Sequence, residues 1–213
     1  VALYLWGLLH DAGADVSLTR ASDRDLLPTG EAALAADLRQ RVARLDSLQP
    51  DVFLSLHHNS NAELDRERNA VETYYKLGDA GASYDLARAI HARLARGLGI
   101  ERAEIRPGNY FVLRHASTAA VLGEASYLSH PGVESKLRLA EKQLLEAEAY
   151  YLGLIDYFSR GVPRVRRLDA HGDTLRAGDE LVFEIRDDAG GIDPASVRLS
   201  WNGRTLPAAF DAT

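Results

Sequence analysis

Two adjacent histidines, His57 and His58, follow the apolar run Val52–Leu56, and the amide of Asn59 and hydroxyl of Ser60 come next. Imidazoles are the commonest neutral metal ligands, so their placement decides whether a site is built here. Successive side chains on a strand point to opposite faces. While the backbone stays extended, at most one of the pair serves a given metal, and the other packs or hydrogen-bonds nearby. The stretch alone admits two readings, a polar strand end without a ligand or a binding site at the end of a buried strand. In open α/β sheets, sites lie beyond the carboxyl ends of strands, where this pair falls.

The second chemistry-bearing stretch is "AAVLGEASYLSH", Ala119–His130. Glu124 closes an apolar strand between small residues, and burying an unpartnered carboxylate there is costly. It reads either as a strand-end carboxylate in solvent or in a salt bridge, or as a general base tuned by a metal and partial burial. The chain has no cysteine, so any metal must use His, Asp or Glu. A catalytic zinc needs three protein ligands and an open position for water. His57 suits one ligand and Glu124 the base; no other His or Asp completes the set by spacing.

The other histidines carry weaker signals. His10 and His91 sit on helices and read as surface or boundary residues. His171 falls in a linker. His115 precedes the Glu124 strand and is a candidate for the mouth of the site, as is His130 for touching substrate. The charges at Glu134–Glu148 read as a solvated helix face. Trp6, Tyr150, Tyr151 and Phe158 fit helix core faces. No Gly-x-Ser-x-Gly elbow supports a serine hydrolase.

Helical spacing of apolar residues predicts helices over Val1–Leu9, Glu31–Leu48, Ser83–Leu98 and from Pro131 to Arg160, with Gly13 and Gly161 as stops. Short strands are predicted at Ala14–Arg20, Asp51–Leu56, Asn69–Lys76, Tyr110–Leu113 and Ala120–Glu124, and "ASDRDLLPTG" as a turn-rich loop. The alternation predicts an α/β domain with an open, twisted, mostly parallel sheet covered by helices on both faces. After Gly161-Val162-Pro163 the texture changes to alternating strands at Glu180–Arg186 and Ser196–Trp201, with Asn202-Gly203 as a hairpin signal. This predicts a first domain over 1–161, then a linker and partial immunoglobulin-like β domain over 162–213.

Length, 213 residues, fits one medium domain and a small second one. The net charge of -6 with interspersed signs and no basic stripe argues against nucleic acid as a partner. No stretch is long and apolar enough to span a membrane. The chain lacks methionine and opens inside a helical pattern, which predicts an N-terminally truncated, internal fragment.

The order of these motifs resembles the zinc-dependent N-acetylmuramoyl-L-alanine amidases of bacterial cell walls. "LLHDAGADVSLTR", "LRQRVARLDSLQPDVFLSLHHNSN", "VETYY" and "VLRHASTAAVLGEASYLSHPGVESKL" carry the likeness over about residues 1–160. The resemblance implies Zn2+ as cofactor, His57 as a zinc ligand and Glu124 as the catalytic carboxylate. His58 falls on a non-ligand position and Asn59 on a polar position beside the metal. Two further ligands would lie before Val1. Ser126, Tyr127 and His130 depart from the family's Gly, Phe and Asn. The resemblance further implies peptidoglycan as substrate, an extracytoplasmic location (periplasmic, cell wall or secreted) and a protein activator that the sequence does not name. Two rival functions remain: a metal-free peptidoglycan-binding module, and a zinc amidohydrolase or peptidase acting on another peptide.

Overall fold

The computed structural model describes residues 1–22, 34–61, 65–161, 163–169, 175–176, 178–187, 191–201 and 204–211. The expectations for the loop at 23–30, for His171 and for the Asn202-Gly203 turn fall outside them. The chain divides into two compact units, Val1–Tyr157 and Phe158–Thr213.

The first unit contains β1 (Val52–Asn59), β2 (Val71–Lys76), β3 (Ala103–Gly108) and β4 (Ala119–Tyr127) in one sheet, ordered β1-β4-β2-β3. β1 runs parallel to β4 and β2 parallel to β3, while β2 and β4 are antiparallel. The sheet is therefore mainly parallel. Its helices are α1 (Ala2–Asp11), α2 (Leu34–Leu48), α3 (Ala82–Leu98), α4 (Phe111–Arg114), α5 (Pro131–Leu137) and α6 (Ala140–Phe158).

Pairing register sorts the sheet residues onto two faces. On one face, Phe53, Ala120, Leu122 and Tyr74 pack with Leu45 of α2 and with Leu113 and Ala116 at α4. α3 covers the other face with Leu86, Ile90 and Leu94, all fully buried. Their four-residue spacing makes one apolar stripe, and each burial stabilises the fold by roughly 1.5–3 kcal/mol. Asp79 starts α3 by accepting from the backbone N–H groups of Gly81 and Ser83, and Gly99 ends it in a left-handed conformation at φ 62°. Ser83 Oγ then accepts from Ala120 N at 2.9 Å, fixing α3 to β4. α6 packs beside α3, where a Cβ on Gly153 would stand 2.6 Å from Ile90 Cα, so only glycine permits the approach. Arg93 on α3 closes the pair with a two-pronged bridge to Asp156 at 2.6 and 2.7 Å.

Several sequence expectations are corrected here. Residues 14–20 form no strand; side chains hold this segment instead, through Trp6 to the Val16 carbonyl and Arg44 to Ser17 Oγ. Tyr110–Leu113 is not a strand, because the short helix α4 occupies it, and the neighbouring strand is β3. β3 escapes the alternation test because it carries Pro107, which an edge strand tolerates. The long last helix is broken at Arg138 and Leu139 into α5 and α6. β1 does not stop at Leu56 but continues through both histidines to Asn59.

In the second unit β5 (Arg164–Arg167) pairs antiparallel with β6 (Phe183–Arg186), and β7 (Leu199–Trp201) with β8 (Arg204–Leu206). Among the described residues these are two separate two-stranded ribbons. No helix among the described residues is long and apolar enough to cross a membrane.

Candidate active site

β1 and β4 run in the same direction, so their carboxyl ends share one edge of the sheet. There His57 pairs in register with Glu124, and Glu124 pairs in register with Glu72 of β2. Residues in register stand on one face, so the three form a row across three strands. The register shifts just beyond, because Asn59 pairs with Tyr127. Three β4 positions thus advance against two on β1, a bulge that returns Tyr127 to the face of Glu124.

The two histidines separate as strand geometry requires. His57 is exposed on the Glu124 face, with Nε2 3.0 Å from Ser55 Oγ, two residues back on the same side. Partial enclosure by the protein lowers its pKa, and the positive charges of Arg41 and Arg20 add to this. A neutral imidazole at neutral pH is the ligating form. His58 turns to the opposite face, where Nε2 lies 2.7 Å from Glu146 Oε2 on α6.

Glu146 corrects the expectation of a wholly solvated charge run, since it is 0% exposed. It falls on the buried stripe of α6 with Ala147, Ala149, Tyr150, Gly153 and Leu154. Burial pushes its carboxyl up, but His58 and Lys142, whose Nζ stands 3.0 Å away, outweigh this and hold it below the usual range.

Glu124 is half-buried, and its Oε2 is buried without a hydrogen-bond partner among the described residues. Burial pushes its pKa up to about 7, with Glu72 adding to the rise and His58 opposing it. A carboxylate poised near neutrality can accept and return a proton. Glu72, by contrast, is 2% exposed and fully engaged. Its Oε2 accepts from Tyr74 Oη at 2.7 Å and Asn59 Nδ2 at 3.0 Å. Its Oε1 accepts from Tyr127 Oη at 2.8 Å and Arg68 Nη2 at 3.3 Å. Burial raises its pKa, but these hydrogen bonds prevail and leave it lowered.

Sequence reasoning missed Glu72, having read its strand as half-exposed. The signal was present in a Glu sharing a strand face with Tyr74 and four residues from Arg68. His115 does not reach the mouth: it caps α4 at the amino end of β4, exposed and stacked on Phe111 with ring centroids 4.2 Å apart. His130 precedes α5 at the carboxyl end of β4, with Nδ1 buried and unpartnered among the described residues. His91 is half-buried, bonding Thr73 Oγ1 at 2.9 Å, and His10 is exposed, stacked on Trp6.

Among the described residues no three His, Asp or Glu side chains gather into a complete metal-binding group. The donors present suit part of one, a neutral imidazole beside a carboxylate with an orphaned, buried oxygen.

A family profile described as N-acetylmuramoyl-L-alanine amidase matches residues 1–156. The chain is 31% identical over 122 residues to N-acetylmuramoyl-L-alanine amidase LytC of Bacillus subtilis, spanning 57% of this chain but only 24% of LytC. It is 28% identical over 164 residues to the germination-specific amidase of the same species, covering 75% of this chain and 68% of that protein. Among solved structures, the catalytic domain of the amidase CwlV from Bacillus (Paenibacillus) polymyxa aligns with a TM-score of 0.63 at 32% identity, over 73% of this chain and 79% of the other. CwlD from Clostridioides difficile, solved in complex with the GerS lipoprotein, shares the fold with a TM-score of 0.69 at 24% identity, over 74% and 82% of the two chains. With the matched motifs carried on β1, β2 and β4, the chain belongs to the N-acetylmuramoyl-L-alanine amidase family.

Proposed function

We propose that this protein is a zinc-dependent hydrolase that cleaves the amide between N-acetylmuramic acid and L-alanine in peptidoglycan. The observation that carries the reading is the register of His57 beside Glu124, whose buried Oε2 lacks a partner among the described residues. His57 would hold the metal together with ligands beyond the described set, in an extracytoplasmic protein. Zinc, when bound, supplies Lewis-acid polarisation of the amide carbonyl and makes water more acidic. Glu124 takes the proton of the attacking water and passes one to the leaving amine of alanine. Burial of Glu124 favours the protonated state it must reach before passing the proton on. His58 stays out of the chemistry, anchoring the end of β1 to α6 through Glu146. Residues 162–213 would follow as a linker and partial immunoglobulin-like β domain, and a protein activator belongs to the same proposal.

The test incubates the full-length, zinc-loaded protein with purified peptidoglycan. Released peptide stems should carry a new alanine amino terminus, chelation should stop release, and added zinc should restore it. Binding to peptidoglycan without release would favour the metal-free binding module. Release at a different bond would favour another amidohydrolase or peptidase.

A further inference from the structure

We propose that Glu72 is a positioning residue for the hydrolysis, tying the ends of β1 and β4 together where their register shifts, so that His57 and Glu124 keep one fixed relation. The inference rests on the amidase reading above. Beyond the His57–Glu124 pair, the bulge interrupts the regular ladder between β1 and β4. The ladder resumes at Asn59 and Tyr127 only after this irregularity, so the offset between the two strand ends depends on what holds it at the site. Glu72 spans the gap from β2. One oxygen takes the amide of Asn59, two residues past His57, and the other takes the phenol of Tyr127, three residues past Glu124. Tyr74 Oη holds the carboxylate from its own strand. Hydrogen bonds to an ionised acceptor are roughly twice as strong as neutral ones, which suits a tie of this kind. Asn59 relays the constraint onward, since its Oδ1 accepts from Ser60 N at 2.8 Å and its carbonyl from Leu128 N at 2.7 Å.

All four groups around Glu72 donate, which makes Glu72→Gln diagnostic. Glutamine keeps the shape but turns one acceptor into an N–H2 donor facing other donors. In the full-length, zinc-loaded protein, kcat should fall by at least ~10-fold, since small misplacements of catalytic groups cost up to ~10²-fold. KM should stay within about threefold, because substrate contacts do not change, while the melting temperature should fall by several degrees as buried donors lose their acceptor. The side-chain amide resonance of Asn59 should move. Should Glu72→Gln fail to fold, Tyr127→Phe removes only one hydroxyl from the tie, and its kcat should still fall by at least ~3-fold. Folded Glu72→Gln with wild-type kcat, or failing that Tyr127→Phe with wild-type kcat, overturns the inference while leaving the amidase reading intact. A wild-type protein that releases no stems defeats that reading and this inference together.

Discussion

Glu124→Gln should lower the rate of stem release by roughly 10²–10⁴-fold, the usual worth of general acid–base catalysis, or ~3–5 kcal/mol of barrier. The fold should persist, because glutamine is nearly isosteric. Zinc should also remain, because the proposed mechanism makes Glu124 the base and not a ligand. Peptidoglycan binding should change little, since the loss falls on the transition state. The measurement pairs stem release with zinc analysis of the same sample. Near-normal activity with zinc retained would remove Glu124 from the mechanism, and loss of zinc would recast it as a ligand.

The same substitution has a signature without metal or substrate. The Glu124 carboxyl is raised in the fold from 4.5 to about 7, chiefly by burial. A raised acid contributes its stability below the unfolded pKa and loses it as pH rises through the folded one. The ionised form therefore burdens the metal-free fold above neutrality. Metal-free Glu124→Gln should be more stable than wild type by ~1–3 kcal/mol at about pH 8, with the gain vanishing near pH 4. Denaturant titrations at the two pH values read this directly, and equal differences at both would contradict it.

The two histidines should fail in opposite ways. His57→Ala removes the proposed ligand from an exposed strand-end position, so zinc content should fall well below one per chain while thermal stability of the metal-free protein holds. His58→Ala should retain most of the zinc but destabilise the fold by ~1–3 kcal/mol. The reason lies across the sheet, where the fully buried Glu146 would lose His58 and, among the described residues, keep Lys142. Equal zinc loss in both variants would mean that the wrong face had been assigned to the metal.

Much of this site was legible before any coordinates. Apolar runs ending in His57 and Glu124 located β1 and β4; strand alternation put His57 and His58 on opposite faces, and the family resemblance chose between them. Four-residue spacing placed α3 within one residue of its observed start. What escaped was decided by partners distant in sequence. Glu146 looked solvated among neighbouring charges, yet it lies on the helix stripe that meets His58, 88 positions away. Glu72 looked like the outward half of an alternating strand, because Asn59 and Tyr127, which join Tyr74 and Arg68 in enclosing it, come from β1 and β4. The break between α5 and α6 carries neither proline nor glycine, so no local punctuation announces it. Ala14–Arg20 has the composition of a strand, but pairing needs a neighbour, and α1 and α2 side chains claim it instead.

The strand order has a consequence for the sequence of events in folding. β2 meets β3 across a single helix, a crossover that closes early. β1 meets β4 only after the chain has passed through β2, α3, β3 and α4. Loop closure grows costlier with intervening length, by ~0.6 kcal/mol per doubling, and non-local pairings form slowly. β1 should therefore join β4 after β2 has met β3. During refolding, pulse-labelled hydrogen exchange should find the backbone amide of Thr73 protected before that of His57, and simultaneous protection would refute the order. Refolding chains caught before this step would hold Glu124 without its histidine neighbour, so the His57–Glu124 pair would be completed late in folding.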